Sequence, residues 1–138
     1  THYAGCRFRS RLEARWAVCF DHAGVNWSYE IEGFELPSGR YLPDFLWKSL
    51  PGRGEDSYLW VEIKAKQPSL KEHMLMLELT YATNTSGVFI VGNIPQDPKE
   101  IELIPVNMAV SIESEFQVFY EEDLAAGRSA RFEFGESG

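Results

Sequence analysis

Two cysteines and three histidines in 138 residues leave little material for disulfide or zinc chemistry. Cys6 and Cys19 fall within or beside one predicted helix and would point to different sides of it, so no pairing is expected. That suits a reducing cytoplasm. Cys19 and His22 are too short a fragment for a zinc site, and His2 and His73 supply no completing pair. No apolar run approaches the roughly 20 residues of a membrane span, and no stretch has the charged start and apolar middle of a signal peptide. No membrane partner is therefore expected. No glycine-rich phosphate loop follows a strand, which removes support for an ATPase, and no serine sits in a nucleophile elbow.

Positive charge is also scarce, with 13 Lys and Arg against 21 Asp and Glu. The net charge of -8 argues against a nucleic-acid partner, but the acidic excess is concentrated after Asp97. In the first twenty residues the balance reverses, with Arg7, Arg9, Arg11 and Arg15 facing Glu13 alone. A local basic stripe can hold phosphate on an acidic protein, although long-range steering would be poor.

What is present is enough for one domain. A chain of this length with 44% hydrophobic residues buries roughly two-thirds of its unfolded surface without a disulfide. The pattern predicts a helix from about Phe8 to Ala23, with Phe8, Leu12, Trp16, Cys19, Phe20 and Ala23 on one arc and Arg7, Arg11 and Arg15 on another. Glu13 lies at the edge of the apolar arc. It would pair with Arg9 one turn back, or close a capping box with Ser10. Gly24 can end the helix. A strand is expected from Trp27 to Leu36, a turn at Pro37, Ser38 and Gly39, and a second strand from Tyr41 to Trp47. Pro43 inside that strand marks an edge or a bulge that aims Asp44. A mobile loop from Ser49 to Ser57 leads to a strand from Leu59 to Ala65. Ser69 to Glu72 fits a capping box opening a second helix to about Thr83, apolar nearly all round and so expected to be well buried, with Met74 and Met76 as core filler. Gly87 to Gly92 reads as a strand buried on both faces. Strand-like stretches follow near Ile101 to Ile112 and Phe116 to Tyr120.

The chemistry concentrates between Arg40 and Lys66. Residues two apart on a strand share a face, so Glu62 and Lys64 project together while Val61 and Ile63 face the apolar side. In an antiparallel pairing Asp44 comes to lie beside Glu62. Two ionised carboxylates about 4 Å apart repel by roughly 4 kcal/mol at an effective dielectric near 20. They need a raised pKa or a cation between them, and magnesium is the economical cation.

The order of elements around Pro43-Asp44 and Glu62-Ile63-Lys64 resembles the PD-(D/E)xK nuclease superfamily. The blocks Phe8 to Trp16, Tyr41 to Phe45, Trp60 to Lys64 and Gly92 to Pro95 are similar to a small phage and bacterial family within it, over roughly residues 3 to 96. The resemblance implies an α/β fold, a restriction-endonuclease-like αβββαβ core with a mixed central sheet flanked by helices, here followed by a β-rich C-terminal extension. It implies a magnesium- or manganese-dependent nuclease in a bacterial or phage-infected cell, with DNA ahead of RNA as substrate. Asp44, Glu62 and the backbone carbonyl of Ile63 match the metal ligands. Lys64 matches the lysine that orients water or offsets phosphate charge, and Glu13 the acid of the first helix. Relatives often carry glycine where this chain has Ala65 and a helical lysine where it has Leu75, which points to altered substrate contact or lost turnover. Glu72 reads as a helix cap in preference to a catalyst.

Arg7, Arg11, Arg15 and Lys66 are candidates for sequence-independent phosphate contacts, or for ordinary solvated charge. The competing reading is a catalytically weak or inactive module on the same scaffold, binding nucleic acid, a nucleotide or a protein partner, for example in phage-host conflict. The acidic C-terminal part favours that alternative, and the intact Asp44, Glu62 and Lys64 favour the enzyme. Catalysis through a second subunit, as in a homodimer, or through a separate basic domain is a third possibility.

Overall fold

A computed structural model describes residues 1–49 and 54–107. The chain opens with an antiparallel ribbon of β1 (His2–Tyr3) and β2 (Cys6–Arg7). Ala4 and Gly5 both take positive φ, as a tight two-residue hairpin loop requires. This ribbon occupies the chain just ahead of the expected helix start and takes Arg7 off the helix altogether. α1 runs Arg11–His22 because Ser10 caps it, its Oγ accepting the Glu13 amide at 3.2 Å. Phe8 is buried all the same, as part of the lead-in. Gly24 ends the helix as expected: it has φ +77, and the Val25 and Gly24 amides return to the carbonyls of Phe20 and Asp21 at 2.9 and 3.1 Å.

The first expected strand is two strands, β3 (Asn26–Tyr29) and β4 (Phe34–Leu36). They part at Glu30, whose φ of +46 turns the chain out of the sheet. β4 forms a separate hairpin with β5 (Gly39–Tyr41), closed by the expected turn at Pro37 and Ser38. The second expected strand also divides. Leu42 and Pro43 leave the ladder, consistent with a proline that has no amide to donate, so Asp44 lies just ahead of β6 (Phe45–Lys48) and not within it. β7 (Tyr58–Lys64) follows a loop of which residues 50–53 lie outside the described residues.

α2 (Leu70–Thr83) starts at a complete capping box: the Ser69 Oγ accepts the Glu72 amide at 3.1 Å, and the Glu72 carboxylate accepts the Ser69 amide at 2.7 Å. β8 (Ser86–Val91), a short 3-10 turn at Pro98–Glu100 and β9 (Glu102–Val106) complete the described chain. The further strand-like stretches expected as far as Tyr120 lie outside the described residues beyond Asn107.

The main sheet has the order β3-β6-β7-β8-β9, with β7 and β8 parallel and every other neighbouring pair antiparallel. It is the expected mixed sheet of an αβββαβ core, with the β4–β5 hairpin inserted between its first two strands. Strand alternation sends Leu59, Val61 and Ile63 into the α1 layer with Trp16, Phe20, Phe45 and Trp47. Trp60 and Phe89 face the other way, packing with Met76 and Leu79 of α2. β8 is buried on both sides, as its apolar run predicts.

α2 departs from expectation on one count. Leu75, Met76, Leu79 and Thr80 are buried, but Leu70, Met74 and Tyr81 are 79%, 41% and 71% exposed, so Met74 is not core filler. The helix meets the sheet along one face, and an all-round apolar sequence cannot bury the rest. Gly87 permits that approach, since a Cβ there would lie 2.5 Å from the Met76 Sδ. Among the described residues no helix is long and apolar enough to cross a membrane.

Candidate active site

Register brings the two central acids together. β6 and β7 pair with Phe45 opposite Val61, which sets Asp44 opposite Glu62 at the mouth of the ladder. The Asp44 amide donates to Glu62 Oε1 at 3.0 Å, and the Ile63 amide donates to Asp44 Oδ2 at 2.8 Å. Amide and carbonyl of one strand residue point to the same side, so the Ile63 carbonyl also faces Asp44, beyond the point where β6 begins. Asp44 is fully buried and Glu62 partly so. Burial first, and the neighbouring Glu62 second, push the Asp44 carboxyl up to about 8. Burial likewise raises Glu62, to about 7, against the Asp44 amide bond that favours its charged form. Two raised carboxyls, one at the entry to β6 and one on β7, with a carbonyl turned toward them, fit a divalent cation with oxygen preference. Among the described residues no group of three or more His, Cys, Asp or Glu side chains is arranged to hold a metal ion by itself.

Lys64 shares the Glu62 face but is ion-paired to Glu72 of α2. Burial works against the Glu72 charge, yet the hydrogen bonds from Lys64 and the Ser69 amide hold its carboxyl below the ordinary range. Glu72 is thus a cap, as read from the sequence, and also the lysine's partner. The main chain at Lys64 is fixed from behind. Its carbonyl accepts the Gly92 amide at 2.8 Å, and the Gly92 carbonyl accepts the Trp16 indole at 2.9 Å.

Glu13 is buried near the start of α1 and accepts a hydrogen bond from the Tyr29 hydroxyl. Both ordinary readings of this residue hold in part. Ser10 caps its amide, and Arg9 Nε lies 3.9 Å from its Oε1. Glu13 nevertheless stands close enough to Asp44 for its charge to help raise that carboxyl.

Three participants escape sequence reasoning. Arg9 carries its guanidinium into the acidic cluster, bonding Asp44 Oδ1 through Nη2 and approaching Glu30 Oε2 to 2.6 Å through Nε. Glu30 is the residue that turns the chain out of β3, and its amide donates to the Asp44 carbonyl at 2.8 Å. Tyr41 on β5 brings a buried hydroxyl up to Glu62 without completing hydrogen-bond geometry, and burial, then the Glu62 charge, raise the phenol. Arg9 was legible as a helix-start charge but not as a partner of a residue 35 positions away. The phosphate candidates are dispersed: Arg7 on β2, Arg11 exposed at the head of α1, Arg15 half-buried one turn on, and Lys66 exposed beyond β7.

No family model matches the chain, and no curated protein matches it in sequence. Solved structures with a related chain path include Hjc, a Holliday junction resolvase from the archaeal hyperthermophile Archaeoglobus fulgidus. It is 18% identical with a TM-score of 0.44, over 70% of this chain and 69% of that one. A second is SSO0001, 12% identical with a TM-score of 0.45, over 83% of this chain and 57% of its own length. The functional reading rests on the site itself.

Proposed function

We propose that this protein is a metal-dependent nuclease that hydrolyses phosphodiester bonds in nucleic acid, DNA in preference to RNA. The observation that carries the reading is the pair of charge-averse carboxyls, buried Asp44 and half-buried Glu62, held by main-chain amides with Lys64 on the face of Glu62. Asp44, Glu62 and the Ile63 carbonyl would hold magnesium or manganese. When bound, such an ion polarises the phosphoryl oxygen, lowers the pKa of a water and stabilises the leaving oxygen.

The chain's own residues do the rest. The Ile63 amide fixes the Asp44 carboxylate through Oδ2. Lys64, on release from Glu72, would orient the attacking water or offset charge on the phosphate oxygens. Glu13, held by Tyr29, would border the site as the acid of the first helix. Arg7, Arg11, Arg15 and Lys66 would contact the phosphate backbone without reading sequence.

The second reading, a non-catalytic module on this scaffold, is favoured by one feature: Lys64 and Asp44 are both engaged by side chains of the protein itself. A gel assay separates the two. Single-stranded, nicked and duplex DNA are incubated with magnesium or manganese, using the parent, Asp44→Ala and Lys64→Ala. Cleavage by the parent that both variants lose supports the nuclease. No cleavage, or cleavage surviving in both, favours the module.

A further inference from the structure

The surroundings of Arg9 carry an inference that rests on the metal reading above and goes beyond it. Asp44 Oδ2 already accepts the Ile63 amide, so of the two oxygens Oδ1 has the greater lone-pair capacity left for a cation. That oxygen is the one Arg9 Nη2 holds. The contact is asymmetric in exposure, for the Asp44 side chain is 0% exposed and the Arg9 side chain 53%. The acid is therefore fixed in the interior while the guanidinium reaches it from solvent. Arg9 precedes the Ser10 cap, outside the rigid helix, and its amide is anchored on the Tyr29 hydroxyl at 3.1 Å. The side chain can swing while its main chain stays in place.

A second observation comes from Glu30. It is a non-glycine residue in the left-handed region, tied through its amide to the Asp44 carbonyl, and it places its carboxylate 2.6 Å from Arg9 Nε. Arg9 thus has two separate holds, one on Asp44 and one on Glu30, with Glu13 3.9 Å from its Nε. Giving up the first need not mean giving up the second.

We infer that Arg9 is a resident cation: it occupies Asp44 Oδ1 in the metal-free protein and is displaced from that oxygen, staying on Glu30, when a divalent ion binds. Arg9 and the ion compete for one carboxylate oxygen, where two cations side by side repel each other. Metal affinity is then reduced by the fraction of molecules in which Arg9 holds Asp44. If that fraction is about nine in ten, removing Arg9 tightens binding about tenfold.

The test reads binding and not turnover. Manganese binding is measured by electron paramagnetic resonance on the full chain, as parent, Arg9→Gln and Asp44→Asn. In parallel, the guanidinium nitrogens of the 15N-labelled parent are followed by NMR during a magnesium titration, with Arg9 assigned by Arg9→Lys. The expected result is about tenfold tighter manganese binding by Arg9→Gln and Arg9 signals that shift in step with magnesium saturation. Magnesium binding with the Arg9 signals unmoved overturns the inference even if Arg9→Gln does not fold. So does unchanged or weaker binding by a folded Arg9→Gln, and in either case the metal reading survives. Binding by neither parent nor Arg9→Gln, or binding that Asp44→Asn retains in full, removes the metal reading and this inference together.

Discussion

The Asp44 amide donates to the Glu62 carboxylate at 3.0 Å, so the main chain of one acid holds the side chain of the other. Both carboxyls nevertheless have raised pKa values, with burial as the first cause. The folded protein therefore binds more protons than the unfolded chain between the ordinary carboxylate range and about pH 8. The stability these groups contribute is full at low pH and is lost as pH rises through their folded values. The melting temperature of the metal-free protein is expected to fall between pH 5 and pH 8 (on the order of the window set by such shifts), and magnesium is expected to reverse the fall with proton release. Thermal melts at several pH values, with and without magnesium, check both; a metal-free melting temperature that rises across this interval contradicts the assignment.

Glu72 is predicted to act as cap and counter-ion, not as a catalyst. Glu72→Gln should lower stability by about 0.5–1 kcal/mol, the scale of a weakened capping interaction. With Lys64 released, DNA cleavage should persist or increase. Denaturant unfolding and the gel assay measure the two effects separately.

Gly87 is where α2 touches the sheet. Gly87→Ala would force a methyl to within 2.5 Å of the Met76 Sδ, with Thr80 Cγ2 at 3.3 Å. A loss of about 1–3 kcal/mol is expected, as for other overpacked cores, because Met76 can yield only in part. Replacing Met76 by Ala in the same chain should recover some of that loss, which a double-mutant cycle in urea would show.

Nucleic-acid contact by Arg11 or Arg15 predicts a particular salt signature. Each lost phosphate contact should reduce the slope of log affinity against log salt by about one, without altering sequence preference. Fluorescence titrations of Arg11→Gln and Arg15→Gln with labelled DNA at several salt concentrations measure it. A slope equal to the parent's assigns that arginine to the solvated surface.

Much of the framework was legible because it depends on local rules. The Ser69 capping box, the Gly24 stop, the turn at Pro37 and Ser38, and the buried run of β8 all follow from short-range chemistry. The pairing of Asp44 with Glu62 was legible too, because strand alternation and an antiparallel return leave few registers. The errors arose where local rules compete. Phe8 has the helical spacing of a core residue and is buried, but the Ser10 cap and the tight turn at Ala4 and Gly5 start the helix later. Trp27 to Leu36 carries strand character on both sides of Glu30, and nothing in its composition announces a left-handed residue there. The apolar circumference of α2 read as full burial, whereas packing on a single sheet covers only one side of it. Arg9 was hidden for another reason: its contacts depend on how the start of α1, the end of β3 and the entry to β6 meet in space.

The inserted hairpin has a consequence for how such a protein can diversify. Among the described residues β4 and β5 pair with each other and with no strand of the main sheet. They leave the chain after β3 and return it immediately before Asp44, resting on β7 through Phe34 against Trp60 and on α2 through Ser38 against Glu78. An excursion attached this way can lengthen, shrink or change its outer residues across generations while the acids keep their register. Selection can then reshape that outer surface without disturbing the pairing of Asp44 with Glu62.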